Sequence, residues 1–275
     1  MGPGFGHTVG VPELVEVEIY RQVAERALHR VVHSVDAHDS WFLKHGTTAE
    51  DLGHSLIGNV FTGALRRGKL LTLAIGGAGD AATLGLRFGM TGRLVVDNTS
   101  AIEDLFYSSH RSDPGYVRFA VGFSDGGSLA ISDPRRLGGV ELNPVLEVLG
   151  PDAATITRRE LRDVLGASDA PLKARLMDQS RIAGIGNLIA DEVLWRAGLD
   201  PLRAAGSLSA AQVTRLASTV VSTIVDLQTR GGSHLGDLMP ARARDGRCPK
   251  CGRPLLRRTI GGRTTYSCPR HQPAS

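Results

Sequence analysis

The chain has 275 residues, of which 41% are apolar and 22% are charged, and its formal net charge is +4. This length and apolar content fit two domains with their own cores plus a small appendage, and they exclude a disordered chain. The sequence has no run of about 18 apolar residues and no basic segment followed by an apolar stretch at its N-terminus, so it predicts neither a membrane span nor a secretory signal. A cytoplasmic location is therefore expected.

The predicted elements change in character along the chain. Residues 1–11 hold four glycines and no periodicity, which predicts a flexible leader. Apolar residues at helical spacing from Glu13 to Val31 predict an amphipathic helix that starts at Pro12. From residue 31 to about 140, short β-like runs broken by Gly, Asp and Asn predict a β-sandwich or barrel-like sheet domain.

The second half of the chain is predicted to be helical from about Pro151 to residue 230. Ser209 is the expected N-cap of the last helix, and Gly231 and Gly232 are expected to end it. Residues 240–275 then carry nine Arg or Lys against one acid, a local charge of +8 that leaves −4 for the rest of the chain. Such a patch favours nucleic acid as a partner, and a solvated basic tail is the alternative.

All three cysteines lie in this basic segment. Cys248 and Cys251 form one close pair, and Cys268 and His271 form a second pair after a hairpin-sized span. This C-x2-C and C-x2-H spacing predicts one structural Zn²⁺ in a reducing compartment, and the odd number of cysteines argues against a disulfide framework. Two β-like runs between the pairs predict a hairpin that turns at Gly261 and Gly262 and carries Arg263 at its tip.

Several short motifs occur in a telling order: Pro12-Glu13-Leu14-Val15-Glu16-Val17-Glu18, Asp133-Pro134-Arg135-Arg136, Gly184-Ile185-Gly186-Asn187 and then the cysteine module. Together they resemble the formamidopyrimidine-DNA glycosylase and endonuclease VIII family over residues 12–272. The resemblance implies an α+β multidomain fold. Its parts are an N-terminal helix with a β-sandwich (12–143), a helical domain with a helix–two-turn–helix element (144–240) and a zinc-ribbon β-hairpin (241–275), with DNA in the cleft between.

The same resemblance implies a bifunctional DNA glycosylase and AP lyase of bacterial base excision repair. Its partner is double-stranded DNA with damaged bases or abasic sites, which it binds as a monomer. In the family, an N-terminal proline attacks C1′ of the damaged nucleotide and forms a Schiff base, a role that falls on Pro12. Glu13 matches the general acid, Glu16 a supporting carboxylate and Lys69 the lysine that approaches the lesion, while Arg263 joins them from the hairpin tip.

The DNA-binding residues implied by the resemblance fall into two groups. Met90, Arg135 and Leu137 match the residues that fill the gap left by an extruded nucleotide, with Arg136 beside them. Lys173 and Asn187 match residues that grip phosphates, and Arg263 contacts the backbone from the hairpin.

The sequence departs from the family pattern at several positions. Leucine occupies position 137, where phenylalanine is usual, and His271 replaces a fourth cysteine. The segment from Gly231 to Cys248 is short, so the stretch that caps a flipped 8-oxoguanine is expected to be missing. Asp113 to Tyr116 replace a segment that commonly carries histidine. The preferred lesion therefore stays open among formamidopyrimidines, oxidised pyrimidines and other adducts.

Pro12 is internal in the chain as written, and an amide nitrogen has no free lone pair for attack. One hypothesis is that translation starts at codon 11, which encodes Val11, so that removal of the initiator methionine exposes Pro12. The other is that the leader is real, and the chain is either cleaved or a non-catalytic DNA-binding relative. A zinc-ribbon module for protein interaction is a third interpretation.

Overall fold

The computed structural model describes residues 11–76, 82–100, 102 and 113–274. The described residues form two compact units: unit 1 contains those within 11–12 and 16–146, and unit 2 contains Glu13–Val15 and those within 147–274. The predicted leader falls, except for Val11, outside the described residues. Among the helices of the described ranges, none combines the length and apolar character needed to cross a membrane.

The first helix is shorter than the sequence predicts. Helix α1 spans Leu14–Ala24, and a single 3-10 turn continues it over Glu25–Ala27. The predicted extension to Val31 is wrong, because the backbone is already extended at Leu28 and then turns at His29, whose φ of 61° is left-handed. The next residues then form strand β1 and pair with another strand instead of continuing the helix.

Within the described ranges, unit 1 contains two four-stranded antiparallel sheets. One sheet has the order β1, β6, β7, β5, and the other has the order β2, β3, β4, β8. The strands are β1 Val32–Asp36, β2 Val60–Arg67, β3 Leu70–Gly76, β4 Ala82–Arg87, β5 Arg93–Val96, β6 Val117–Phe123, β7 Ser128–Ser132 and β8 Gly139–Leu142. Buried apolar side chains from both sheets and from α1 form one core, which is the predicted sandwich.

Two elements of unit 1 were not predicted from the sequence. Helix α2, Ala49–Leu56, lies within the region predicted as strands, where a capping box between Thr48 and Asp51 starts it. Strand β8 has only four residues, too few to display an alternating pattern, and it forms by pairing with β4.

Unit 2 is helical and ends in a hairpin. Its helices are α3 Arg158–Leu165, α4 Leu172–Met177, α5 Asn187–Ala197 and α6 Ala210–Arg230. The predicted ends of α6 are confirmed: Ser209 caps its first turn through a bond from Gln212 N, and Gly231 ends it with a left-handed φ of 93°.

The predicted hairpin is confirmed as strands β9, Leu256–Ile260, and β10, Arg263–Ser267. Gly261 and Gly262 form its two-residue turn, with left-handed φ values of 56° and 70° that favour glycine at both positions. The expected fold class is therefore confirmed: a helix with a β-sandwich, a helical region and a C-terminal β-hairpin beside a cysteine and histidine cluster.

Candidate functional site

The carboxylate of Glu13 is seated on the N-terminus of α5. Glu13 is only 1% exposed. Its carboxylate accepts hydrogen bonds from the backbone N–H groups of Gly186 at 2.7 Å, Leu188 at 2.8 Å and Ile189 at 3.2 Å. The first N–H groups of a helix have no partner inside the helix and carry partial positive charge. Glu13 therefore caps a helix that lies more than 170 positions later in the chain.

Glycines make room for this seat. A Cβ atom at Gly186 would lie 2.2 Å from Cδ of Glu13, so any other residue would displace the carboxylate. Gly184 has a left-handed φ of 112°, and a Cβ there would lie 2.5 Å from Leu14. The side chain of Gln179 accepts from Gly184 N at 2.9 Å and so fixes the turn between α4 and α5. The Gly-x-Gly-Asn motif thus forms the binding site for the Glu13 and Leu14 side chains of the Pro-Glu-Leu motif.

A buried ion network lies just beyond this turn. Lys173 has no exposed side-chain surface, and its ammonium group lies 2.7 Å from Asp191 Oδ1. It also donates to Asn187 Oδ1 at 2.6 Å and to Thr265 Oγ1 at 2.8 Å. The second carboxylate oxygen of Asp191 pairs with Arg242 at 2.9 Å. Burial lowers the pKa of Lys173, and the attraction of Asp191 opposes that change.

This network decides how Asn187 is presented. Lysine can only donate, so the side-chain atom of Asn187 that faces it must be the amide oxygen. The amide nitrogen therefore points away from Lys173, and a half-buried N–H donor at a helix N-terminus suits a phosphate oxygen. The predicted direct phosphate contact of Lys173 stays a prediction. The geometry favours an action through Asn187 instead, because the ammonium lies inside unit 2.

In unit 1, a buried carboxylate organises the Asp-Pro-Arg-Arg loop. Asp133 has no exposed surface. Its Oδ1 accepts from the hydroxyl of Thr91 and from Arg135 N at 3.2 Å, and its Oδ2 accepts from Gly138 N at 2.8 Å. The loop therefore wraps around one acid and turns the side chains of residues 135–137 outward.

The structure brings two of the predicted gap-filling segments together. Gly89 has a left-handed φ of 55°, and a Cβ there would lie 2.4 Å from the carbonyl carbon of Leu137. Met90 follows in the same turn and is half-buried, whereas Leu137 is 49% exposed and Arg135 is exposed. Met90, Arg135 and Leu137 thus belong to neighbouring loops of one unit. Their contact with DNA stays a prediction.

Arg136 is held by an acid of its own unit. Its Nε donates to Asp39 Oδ2 at 2.7 Å, and Arg118 lies 3.8 Å from the same oxygen. The Arg136 guanidinium lowers the pKa of the Asp39 carboxyl, which in turn raises the pKa of Arg136. Because this guanidinium is already paired, its predicted contact with DNA stays a prediction.

The remaining predicted residues occupy well-defined positions. In unit 1, Pro12 is buried directly ahead of α1, Glu16 is buried in the first turn of that helix, and half-buried Lys69 lies in the turn between β2 and β3. In unit 2, Arg263 is exposed as the first residue of β10, next to the turn. The catalytic roles of these residues stay predictions.

The four predicted metal ligands converge. One ligand atom from each of Cys248, Cys251, Cys268 and His271 lies within 4.8 Å of the others. Sγ of Cys251 and Sγ of Cys268 are 3.6 Å apart, which is close to the edge of about 3.8 Å that a tetrahedron with Zn–S bonds of ~2.3 Å has. His271 Nε2 is buried and, among the residues that the structure describes, meets no hydrogen-bonding group. This donor set fits a tetrahedral metal ion.

The electrostatics of the cluster differ between its two buried thiols. Burial raises the pKa of Cys248, but hydrogen bonds from the Trp195 indole, Lys250 N–H, the Cys268 thiol and Cys251 N–H outweigh this effect and leave the pKa below its ordinary value. Burial dominates at Cys268 and raises its pKa. A metal ion binds the deprotonated thiolate, which N–H donors to sulfur favour.

Comparison with known proteins bears directly on these features. The family model for the formamidopyrimidine-DNA glycosylase N-terminal domain matches residues 11–140, and the model for the H2TH domain of the same family matches residues 149–235. The chain is 32% identical to the formamidopyrimidine-DNA glycosylase of Nocardia farcinica, over 96% of this chain and 98% of the relative. The chain belongs to the formamidopyrimidine-DNA glycosylase family.

Solved structures of this glycosylase family share the fold. Wild-type Lactococcus lactis Fpg, in a complex with DNA that contains an oxidised pyrimidine, has a TM-score of 0.80 and 26% identity, with 96% of this chain and 100% of that chain covered. The same enzyme in a complex with DNA that contains N7-benzyl-Fapy-dG has a TM-score of 0.79 and 25% identity, with the same coverage.

The glycosylase family motifs pointed to Asn187 and Arg136 but not to the roles of the acids that position these residues and the loop around them. Asp191 and Asp133 are buried acids that pair with other groups of the site, and Asp39 holds Arg136. A signal existed for Asp191, because it lies with Glu192 inside a helix most of whose other residues are apolar. A charged residue on an otherwise buried helix needs a partner.

Glu192 ties down the short segment that follows α6. Its carboxylate accepts from Asp237 N at 3.0 Å and from Leu238 N at 2.9 Å, and Arg196 pairs with it at 2.7 Å. A Cβ at Gly236 would lie 2.5 Å from the same carboxylate. The stretch that the sequence analysis predicts to be short relative to the glycosylase family is therefore anchored to α5.

Proposed function

We propose that this chain is a bifunctional DNA glycosylase and AP lyase that removes damaged bases from double-stranded DNA in base excision repair. The relatives named formamidopyrimidine-DNA glycosylase over nearly their whole length support this activity. The Lactococcus lactis complexes with an oxidised pyrimidine and with a substituted formamidopyrimidine support damaged bases as the substrate class.

The observation that supports the proposal most directly is the position of the Glu13 carboxylate at the N-terminus of α5. A buried carboxylate directly after Pro12 is fixed by the backbone N–H groups of Gly186, Leu188 and Ile189, in a space that only glycine at position 186 leaves open. A buried charge needs compensating partners, and here the backbone N–H groups of α5 hold the acid next to the proposed nucleophile. The match to the N-terminal family model begins at residue 11, immediately before this site.

The chemistry requires a free secondary amine at Pro12. Its nitrogen lone pair attacks C1′ of the damaged nucleotide, and the bond to the base breaks with its electron pair leaving on the base. The Glu13 carboxylate takes the proton that the Pro12 nitrogen loses and passes it to the ring oxygen as the C1′–O4′ bond breaks and the sugar opens, so that an iminium links Pro12 to C1′. Loss of the C2′ proton then expels the 3′ phosphate and cuts the strand. Glu16 and Lys69 support the reacting centre.

The remaining predicted residues bind DNA in this proposal. Leu137, Met90 and Arg135 fill the gap in the stack, with Arg136 beside them, while Asn187, aided by Lys173, and Arg263 contact the phosphate backbone. Cys248, Cys251, Cys268 and His271 would hold one Zn²⁺ that supplies structural cross-linking of the hairpin and takes no part in the reaction.

Two broader assignments belong to the same proposal. The domain division at residues 12–143, 144–240 and 241–275 is ours, and both family matches are compatible with it. A location in the bacterial cytoplasm is supported by the bacterial origin of the relatives.

Borohydride trapping on abasic-site DNA tests the mechanism. Borohydride reduces an iminium to a stable amine, so the chain 12–275, purified with a free Pro12, is expected to become covalently joined to the duplex. The full chain 1–275, whose intact mass proves that residues 1–11 are retained, is the matched control and should not be trapped. Peptide mass analysis should place the adduct on the peptide that begins with Pro12.

Each outcome bears on one hypothesis. Trapping of the intact 1–275 chain at an equal rate, or an adduct on a lysine, would show that Pro12 is not the nucleophile. Binding without trapping by both chains would favour the non-catalytic DNA-binding relative, which the internal position of Pro12 in the written sequence suggests. That binding should weaken steeply with salt, because phosphate contacts release counterions.

A further inference from the structure

Trp195 lies in the last turn of α5, against the cluster of cysteines and histidine. Its indole Nε1 is 3.4 Å from Sγ of Cys248. The indole N–H can only donate, so the sulfur is the acceptor. Trp195 is 3% exposed and Cys248 is 2% exposed, so neither water nor bulk salt competes for this bond.

Packing fixes the indole in this orientation. Trp195, Leu238, Cys248 and Cys268 form one buried cluster of unit 2. The Lys250 ammonium lies 4.1 Å from the centroid of the Trp195 ring, and it donates to the backbone carbonyl of Trp195 at 3.2 Å. Lys250 belongs to the loop between Cys248 and Cys251. This loop therefore contacts the same indole ring whose N–H donates to the Cys248 sulfur.

We propose that Trp195 is a positioning residue of the metal centre, whose indole N–H donates to the Cys248 sulfur, holds that ligand in place and slows metal release. This inference rests on the proposed zinc site. Three thiolates and a neutral histidine leave a net negative charge around Zn²⁺, and that charge is buried beside α5. An N–H donor that is already in place spreads part of the charge away from sulfur without any reorganisation on binding.

A chemical argument separates this role from simple packing. Phenylalanine would fill most of the same space and still offer a ring to Lys250, yet it has no N–H group. The hydrogen bond also lowers the energy of the sulfur lone pair, so that its loss should ease electron donation from sulfur to metal. A purely steric role for Trp195 predicts neither effect.

The test compares Trp195→Phe with Trp41→Phe in the full chain. These are the two tryptophans of the sequence, and Trp41 is 69% exposed on unit 1, so its replacement is a matched control. Zinc content is measured first, and the rate of zinc transfer to a chelator second. Trp195→Phe should release zinc about tenfold faster, a typical effect of losing an outer-shell hydrogen bond. Trp41→Phe should release it at the wild-type rate.

Cobalt provides the second measurement. In the Co²⁺-loaded protein, the sulfur-to-metal charge-transfer band of Trp195→Phe should move to longer wavelength, and that of Trp41→Phe should not move. If Trp195→Phe folds poorly, the Trp41→Phe chain provides a further measurement. Its single ¹⁵N-labelled indole resonance comes from Trp195 and should shift when the metal is removed. A Trp195 indole chemical shift that is the same with and without metal would overturn the proposal.

The outcomes distinguish this inference from the zinc proposal beneath it. A wild-type chain that contains and binds no zinc would remove both. A wild-type chain with one zinc ion, together with a Trp195→Phe variant whose release rate stays within about twofold and whose cobalt band is unchanged, would remove only the role of Trp195.

Discussion

Neutralising Asp191 should destabilise unit 2 more than removing either of its cationic partners. The Asp191 carboxylate lies between Lys173, whose side chain is fully buried, and Arg242, whose side chain is 9% exposed. Asp191→Asn keeps the volume but leaves two buried cations without their shared counter-charge, which should cost about 3–5 kcal/mol. Lys173→Met leaves Asp191 paired with Arg242 and mainly loses hydrogen bonds of about 1 kcal/mol each, so about 1–2 kcal/mol is expected.

Urea unfolding followed by fluorescence measures both free energies. A Trp41→Phe background leaves Trp195 as the single tryptophan, which reports on unit 2. Asp163→Asn is the matched control, since Asp163 has a 63% exposed side chain and its replacement should change the free energy of unfolding by less than about 0.5 kcal/mol. A Lys173→Met variant that is as unstable as Asp191→Asn would refute the central position of Asp191.

Three further expectations follow from the site. Arg136 lowers the pKa of Asp39, so this pair should stabilise the fold fully above the ordinary carboxyl pKa of 3.8. That contribution should be lost as the pH falls through the lower pKa of the folded state. In urea unfolding, the free energies of Arg136→Met and wild type should therefore differ at pH 6 and converge in acid. Leu137→Ala should leave the melting temperature nearly unchanged, because the side chain is 49% exposed. It should slow excision from a damaged duplex by about tenfold, because an apolar wedge is lost. Equal excision rates for variant and wild type in single-turnover assays would count against the wedge. Gly186→Ala should displace the Glu13 carboxylate, cost about 1–3 kcal/mol in overpacking and abolish borohydride trapping while salt-sensitive DNA binding persists.

The sequence predicted best where periodicity and end signals agree. The α6 helix was framed by Ser209 and Gly231, and the hairpin turn by two glycines, because these residues act on the backbone next to them. The first helix was overextended because apolar spacing alone does not detect a left-handed residue such as His29. Strand β8 was missed because its formation depends on pairing with β4.

The functional motifs were visible as strings, but their physical connection was not. Nothing in the Pro-Glu-Leu segment shows that its acid would bind the amides after Gly186, since the partners lie more than 170 residues away. The prediction for Lys173 illustrates the same limit. A rare lysine near a glycine-rich turn resembles a surface anion contact, whereas its burial depends on Asp191 and Thr265, which come from two other elements.

Helix α5 gives these separate features a common frame. Its first turn receives Glu13 and presents Asn187, its middle carries Asp191, and its last turn places Trp195 against Cys248. Eleven helical residues span only about 16 Å. Rigid secondary elements are among the structures that carry energetic coupling between sites. Loss of the metal should therefore loosen the end of the helix on which the Cys248 sulfur rests. The same helix holds the Glu13 carboxylate, so chelation of the proposed metal should slow the proposed reaction, although none of the four cluster residues is assigned a chemical step in it.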